Sequence, residues 1–127
     1  MDEATVNQGM PVRGTGPAIV NLVLDDIRHY PDTLKSDFIR RSSQGELKYT
    51  YPLQANNGRD ALADLYQELL DAVLYAKQLL EEVDKPFIYG DPYKLYTTKD
   101  LYNDLLDQCD FLHGMIQERK EKKCGDY

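Results

Sequence analysis

The sequence has little cysteine, no excess of basic charge and no long apolar run, and each shortage excludes a class of protein. Cys109 and Cys124 are the two cysteines, and neither has a C-x-x-C partner or a histidine at ligand spacing, so we expect free thiols. Fifteen basic residues against 22 acidic ones argue against a nucleic-acid groove. No run of about 18 apolar residues and no basic-then-apolar leader occurs, so we expect a cytoplasmic protein without a membrane span.

Tyrosine is abundant where tryptophan is absent, with ten tyrosines against three phenylalanines. A tyrosine ring has apolar faces and a polar tip, which suits half-buried helix seams, subunit interfaces and base stacking. Together with two leucine-rich helices, this composition predicts a homodimer or a higher homo-oligomer.

One long amphipathic helix dominates the pattern and begins after the turn at Asn56–Gly58. Its apolar residues recur at spacings of three, four and seven, which predicts roughly six helical turns. The stripe consists of Leu62, Leu65, Tyr66, Leu69, Leu70, Val73, Leu74, Leu79 and Leu80.

A second helix nearly repeats the first, because LYQELLD at 65–71 is echoed by LYNDLLD at 101–107. Each copy carries two carboxylates three residues apart, on one helix face. If the helices pack antiparallel, the four carboxylates can converge as oxygen ligands for Mg²⁺; alternatively they are solvated edges of two amphipathic helices. The four residues are Glu68, Asp71, Asp104 and Asp107.

The predicted fold is all-α, a bundle of two short N-terminal helices and two long C-terminal ones. The first short helix runs from Pro17 to near Tyr30, and the second begins at Asp32 and ends at Ser42–Gly45. Residues 46–57 are expected to form an extended or β-hairpin arm.

Both ends of the chain are polar and lack periodicity. We expect residues 1–15 to be a flexible arm, or one ordered only by a partner, and residues 124–127 to be a tail. Residues 16–123 are predicted to form a single helical domain, whose last helix is capped by residues 97–100.

The predicted arm carries polar groups suited to a nucleotide. Lys48 and Arg59 can reach a phosphate, Gln54 and Asn57 can hydrogen-bond a base or sugar edge, and Tyr49 or Tyr51 can stack. The alternative is structural: Asn57 caps the long helix, and Arg59 pairs with Asp60 or Asp64.

Residues 48–75 also resemble known proteins. ELLDAVLY at 68–75 resembles the E-x-x-D helix of the MazG-like, all-α nucleoside triphosphate pyrophosphohydrolases. The run from Lys48 to Leu62 is similar to small bacteriophage proteins with the pattern K-Y-x-x-x-L-Q-x-x-N-G-R-D-A-L. This resemblance implies nucleotide chemistry and a homo-oligomer. Tyr75, at the end of the matched helix segment, is a further candidate ligand-binding residue. The E-x-x-E pair of those enzymes has no counterpart upstream, where Asp25–Asp26 is the nearest substitute.

Two functions fit these observations. In the first, a phage-type protein in the host cytoplasm captures a nucleotide or a nucleotide-derived immune signal without hydrolysing it and without a cofactor. In the second, a Mg²⁺-dependent pyrophosphohydrolase uses the four carboxylates; an oligomeric scaffold is a lesser alternative. We favour binding, because the hydrolytic carboxylate set is incomplete and no general base is evident. The expected partner is a nucleotide-like small molecule, with neither nucleic acid nor membrane.

Overall fold

A computed structural model describes residues 2–82, 88–89 and 96–125. Within them the chain forms α1 (Ile19–Asp26), α2 (Asp32–Tyr49), α3 (Ala61–Glu82) and α4 (Thr98–Gly125). The short strands β1 (Ile88–Tyr89) and β2 (Tyr96–Thr97) pair antiparallel. The predicted all-α class, with two long C-terminal helices that pack together, is confirmed.

The chain divides into two compact units, where the sequence predicted one domain over 16–123. The first unit, the hairpin unit, combines Met1–Val6 with Ala61–Tyr127. The second, the arm unit, is Asn7–Asp60.

In the hairpin unit, α3 and α4 pack antiparallel. The rings of Tyr66 and His113 lie 6.4 Å apart near one end, and Lys77 Nζ lies 5.5 Å from the centre of the Tyr102 ring near the other. The buried apolar side chains come from both helices, which explains why two matching apolar stripes form one seam. They are Ala63, Ala76, Cys109, Leu112 and Ile116.

The start of α4 is fixed by reciprocal capping, as the sequence predicted. The backbone N–H of Asp100 donates to Thr97 Oγ1 at 3.1 Å, and the N–H of Thr97 donates to Asp100 Oδ2 at 2.9 Å. Each bond satisfies a donor that the helix itself leaves unpaired.

The first residues of the chain are bound to this hairpin. Lys120 Nζ lies 2.8 Å from the Glu3 carboxylate, and Gln67 Nε2 donates to the carbonyls of Glu3 and Val6 at 3.1 and 2.8 Å. The hydrogen bond from Lys120 lowers the pKa of Glu3 below its usual value. The first residues of the segment that was predicted to be a flexible arm are therefore bound to α3 and α4 of the same chain.

In the arm unit, α2 is longer than predicted, so the expected extended arm over 46–57 is wrong for its first four residues. Ser42–Gly45 continue the helix, and Lys48 and Tyr49 lie in its last turn. Gly45 lowers helix propensity by about 1 kcal/mol relative to alanine, which is too little to end a helix of 18 residues. The helix ends at Thr50, whose φ of 75° is left-handed, two residues before Pro52.

None of the helices in the described ranges is long and apolar enough to cross a membrane.

Candidate functional site

The N-terminal segment of the arm unit pairs with the loop that follows α2. The N–H groups of Val12, Thr15 and Ile19 donate to carbonyls on residues 57, 55 and 53 at 2.8–2.9 Å. The two segments therefore run antiparallel, with a bridge between Thr15 and Ala55. The extended backbone predicted for the second part of 46–57 is present, but its partner is the N-terminal segment and not a second strand of its own hairpin.

Gln54 fastens this pairing with its side chain. Its Nε2 donates to the carbonyl of Gly16 at 2.9 Å, and its Oε1 accepts from the N–H of Gly14 at 3.3 Å. A Cβ at Gly14 would lie 2.3 Å from the carbonyl oxygen of Ala55, so only glycine permits this approach.

The Asn57–Asp60 segment, with the sequence NGRD, forms hydrogen bonds to an earlier part of the N-terminal segment. Arg59 Nη1 donates to the carbonyl of Gly9 at 2.7 Å and to that of Gln8 at 3.3 Å. Asn57 Oδ1 accepts from the N–H of Arg59 at 3.2 Å, and Gly58 has a left-handed φ of 82°. The turn therefore aims the guanidinium at the arm's backbone.

Gln8, in the N-terminal segment, forms the reciprocal hydrogen bonds to this loop. The sequence did not predict this role for Gln8. Its Nε2 donates to the carbonyl of Asp60 at 3.1 Å, and its Oε1 accepts from the N–H of Asp60. One amide side chain thus pairs with both backbone groups of a single residue, as a neighbouring strand would. The backbone N–H and C=O groups of an irregular segment need hydrogen-bond partners. The glycines and the glutamine of the N-terminal segment were the features of the sequence that indicated such a pairing.

Three of the predicted ligand-binding side chains therefore form hydrogen bonds to the backbone of the N-terminal segment or of the loop after α2. They are Gln54, Asn57 and Arg59. The other two in this unit, Lys48 and Tyr49, lie at the end of α2 and contact each other, with Lys48 Nζ 5.0 Å from the ring centre of Tyr49.

A second tyrosine beside them also faces a cation. Arg13 Cζ lies 5.5 Å from the ring centre of Tyr51. Thr50, between the two tyrosines, has the left-handed φ noted above, which is unusual for a β-branched residue. We name Lys48–Tyr51 together with Arg13 the tyrosine turn. Arg13 was not among the sequence candidates, because its position beside Tyr51 depends on the pairing of the arm.

Tyr75 lies on α3 in the hairpin unit, where its side chain is 68% exposed.

The four carboxylates considered as Mg²⁺ ligands are all exposed on α3 and α4. Because the helices are antiparallel, positions that correspond in the sequence repeat lie at different heights: Glu68 lies near the level of Phe111, roughly two turns from Asp104. Across the described ranges, no group of three or more His, Cys, Asp or Glu residues is placed to hold a metal ion. The structure thus does not gather this set.

Asp104 has a different contact. It accepts a hydrogen bond from the Tyr96 hydroxyl at 2.5 Å, and this bond raises the pKa of Tyr96 to about 12. Cys109 is a buried free thiol, and burial raises its pKa.

Comparison of the chain with protein-family models, with curated proteins and with solved structures gives no match.

Proposed function

We propose that this protein binds a nucleotide-like molecule at the tyrosine turn and releases it unchanged. The observation that carries the proposal is the pairing of two tyrosine rings with two cations across a left-handed residue. The class of ligand includes free nucleotides and nucleotide-derived signals, as the resemblance of residues 48–75 to phage MazG-like proteins also suggests.

The chemistry of the turn matches the two parts of such a ligand. A tyrosine face stacks on any base, which contributes about 1–3 kcal/mol per base. Lys48 and Arg13 are exposed cations beside those faces, and an exposed cation next to a stacked base meets the phosphate of the same nucleotide. Tyr49 and Tyr51 are two residues apart, so their Cα atoms lie within about 7 Å and one ligand can reach both.

The backbone of the turn supports a specific role. A left-handed threonine costs of order 1–3 kcal/mol, and such conformations concentrate at ligand sites. Here the conformation sets the relative orientation of Tyr49 and Tyr51.

Hydrolysis is not part of the proposal. The four acidic residues considered as Mg²⁺ ligands are not gathered into one group, and the tyrosine turn contains no carboxylate or histidine that would serve as a general base. Capture without turnover is the function that matches these residues.

The test is a thermal-shift and calorimetric screen of nucleoside mono-, di- and triphosphates and cyclic dinucleotides, with and without Mg²⁺. A ligand at 100 times its Kd adds about 2.7 kcal/mol to the free energy of unfolding, which raises the midpoint. We expect Tyr49→Ala and Lys48→Ala each to weaken binding of the identified ligand by roughly ten- to a hundredfold.

Matched controls come from the same unit. Tyr30→Ala removes an exposed tyrosine outside the turn, and Arg28→Ala removes an exposed cation that pairs only weakly with Asp25, at 3.7 Å. Both should bind as the parent protein does. If no compound shifts the midpoint, or if the turn variants and the controls bind alike, the proposal is wrong.

An assay of both phosphate and pyrophosphate release from the same compounds addresses the enzyme alternative. We expect release at background with Mg²⁺ present. Turnover that is abolished by Glu68→Gln would establish hydrolysis instead of capture.

A further inference from the structure

The two cations of the tyrosine turn come from different parts of the arm unit. Lys48 belongs to the last turn of α2, and its Nζ lies 5.0 Å from the ring centre of Tyr49. Arg13 belongs to the N-terminal segment, residues 7–16, and its Cζ lies 5.5 Å from the ring centre of Tyr51. The position of Arg13 therefore depends on where the N-terminal segment lies, whereas that of Lys48 does not.

The residues around Arg13 are hydrogen-bonded to the loop after α2. The N–H groups of Val12 and Thr15 donate to backbone carbonyls of that loop at 2.9 and 2.8 Å. The N–H of Gly14 donates to Oε1 of Gln54 at 3.3 Å. Residues on both sides of Arg13 are thus held against the loop, and this pairing sets the position of its guanidinium beside Tyr51.

The pairing of the N-terminal segment can open while the helices stay folded. None of residues 7–16 is buried, and the side chain of Val12 is 57% exposed. A two-stranded pairing with few buried apolar contacts has little stability of its own, and segments of this kind open locally at a low free energy. The arm unit therefore exchanges between a docked form, in which Arg13 lies beside Tyr51, and an open form, in which it does not.

We propose that the N-terminal segment is a strap that closes on a nucleotide bound at the tyrosine turn. This inference rests on the function proposed above. The docked form offers a phosphate group both Lys48 and the planar guanidinium of Arg13, whereas the open form offers Lys48 alone. A ligand shifts an equilibrium toward the form that it binds more tightly, so the nucleotide favours the docked strap.

The size of the coupling follows from the contact that the open form loses. A hydrogen bond between a guanidinium and a phosphate changes affinity by about tenfold or more. Coupling between two equilibria is reciprocal. The factor by which docking of the strap raises nucleotide affinity is therefore also the factor by which a saturating nucleotide reduces opening of the strap.

The test is native-state hydrogen exchange on the full chain, with AMP and adenosine as probes. AMP carries a base and one phosphate, and adenosine carries the same base and ribose without the phosphate. Saturating AMP should slow exchange of the Val12 and Thr15 amides about tenfold, because these amides donate across the pairing. Adenosine should leave their exchange unchanged. Equal slowing by adenosine would contradict a phosphate contact to the strap.

Two cation variants form a matched pair. Arg13→Ala removes the cation that the strap carries, and Lys48→Ala removes the one that α2 carries; both side chains are exposed. Each variant is compared with and without saturating AMP. Both should bind AMP about tenfold more weakly than the parent protein. The slowing of exchange at Val12 and Thr15 should be lost in Arg13→Ala and should persist in Lys48→Ala, because only Arg13 connects the phosphate to the strap.

The outcomes separate the strap from the proposed function. If AMP binds but leaves the exchange of Val12 and Thr15 unchanged, or accelerates it, the strap is wrong and capture at the tyrosine turn stands. Equal slowing in Arg13→Ala and Lys48→Ala would overturn the strap in the same way, and so would a failure of AMP to bind at millimolar concentration. Only a nucleotide screen in which no compound binds would overturn the proposed function, and the strap with it.

Discussion

Replacing Arg59 with alanine should release the N-terminal arm from its loop while the rest of the chain stays folded. The guanidinium donates to the carbonyls of Gly9 and Gln8 at 2.7 and 3.3 Å. A hydrogen bond that involves a charged group contributes about 1.5–3 kcal/mol. Water can replace the guanidinium at a carbonyl that is exposed, as that of Gly9 is, so we expect the lower end of this range. The open population of the arm should therefore rise about tenfold.

Native-state hydrogen exchange measures this opening directly. The amides of Val12 and Thr15 donate across the pairing, so their exchange should accelerate about tenfold in Arg59→Ala. Arg41→Ala is the control, because Arg41 contacts the exposed side chain of Gln44 one turn away on α2. Unchanged exchange at Val12 and Thr15 in the folded Arg59 variant would refute the proposed role of the guanidinium.

The same variant separates this role from the one that the sequence suggested. If Arg59 addressed a ligand anion, its loss would weaken nucleotide binding and leave the exchange of the arm unaltered. If Arg59 instead holds the N-terminal segment in place, nucleotide binding should change only as far as Arg13, which lies in that segment, moves away from Tyr51. Calorimetry and exchange on one preparation distinguish the two.

Three further predictions concern the backbone and one phenol. Gly14→Ala should destabilise the protein by about 1–3 kcal/mol, because its Cβ would overlap a carbonyl oxygen. Gly9→Ala is the control and should leave the stability unchanged, because no atom lies within 4 Å of its Cβ position. Urea denaturation measures the free energy of unfolding of both variants. Gly45→Ala should stabilise α2 by about 0.5–1 kcal/mol in the same assay, because its Cβ would point into open space, and a loss of stability would mean that the helix is misplaced there. The bond from Tyr96 to Asp104 favours the protonated phenol, so its stabilisation is complete below about pH 10 and is lost as the pH rises through about 12. Asp104→Asn should therefore shift one tyrosine in an ultraviolet titration back toward its ordinary pKa, and an unchanged titration curve would show that the bond does not form.

The helical hairpin could be predicted from the sequence because its signals are local. Apolar residues at helical spacing specify α3 and α4 whatever else the chain does, and Thr97 and Asp100 cap α4 from three residues apart. The extent of α2 could not be predicted in this way. Ser42–Gly45 favour the end of a helix only weakly, by about 1 kcal/mol for the glycine, and the helix continues through them to Tyr49.

The tyrosine turn and the arm depend on tertiary structure. Gln54 and Arg59 carry groups that suit a phosphate, a base or a backbone carbonyl equally well, so their residue types alone do not determine the partner. Their partners are backbone carbonyls of a segment that lies 38 to 51 residues away in sequence and that places Gly9 and Gly16 beside these two side chains. The same pairing placed Arg13 over Tyr51. Local patterns thus determined where α3 and α4 form. Which polar groups hydrogen-bond to one another was decided only when distant segments of backbone, each with unpaired N–H and C=O groups, came together.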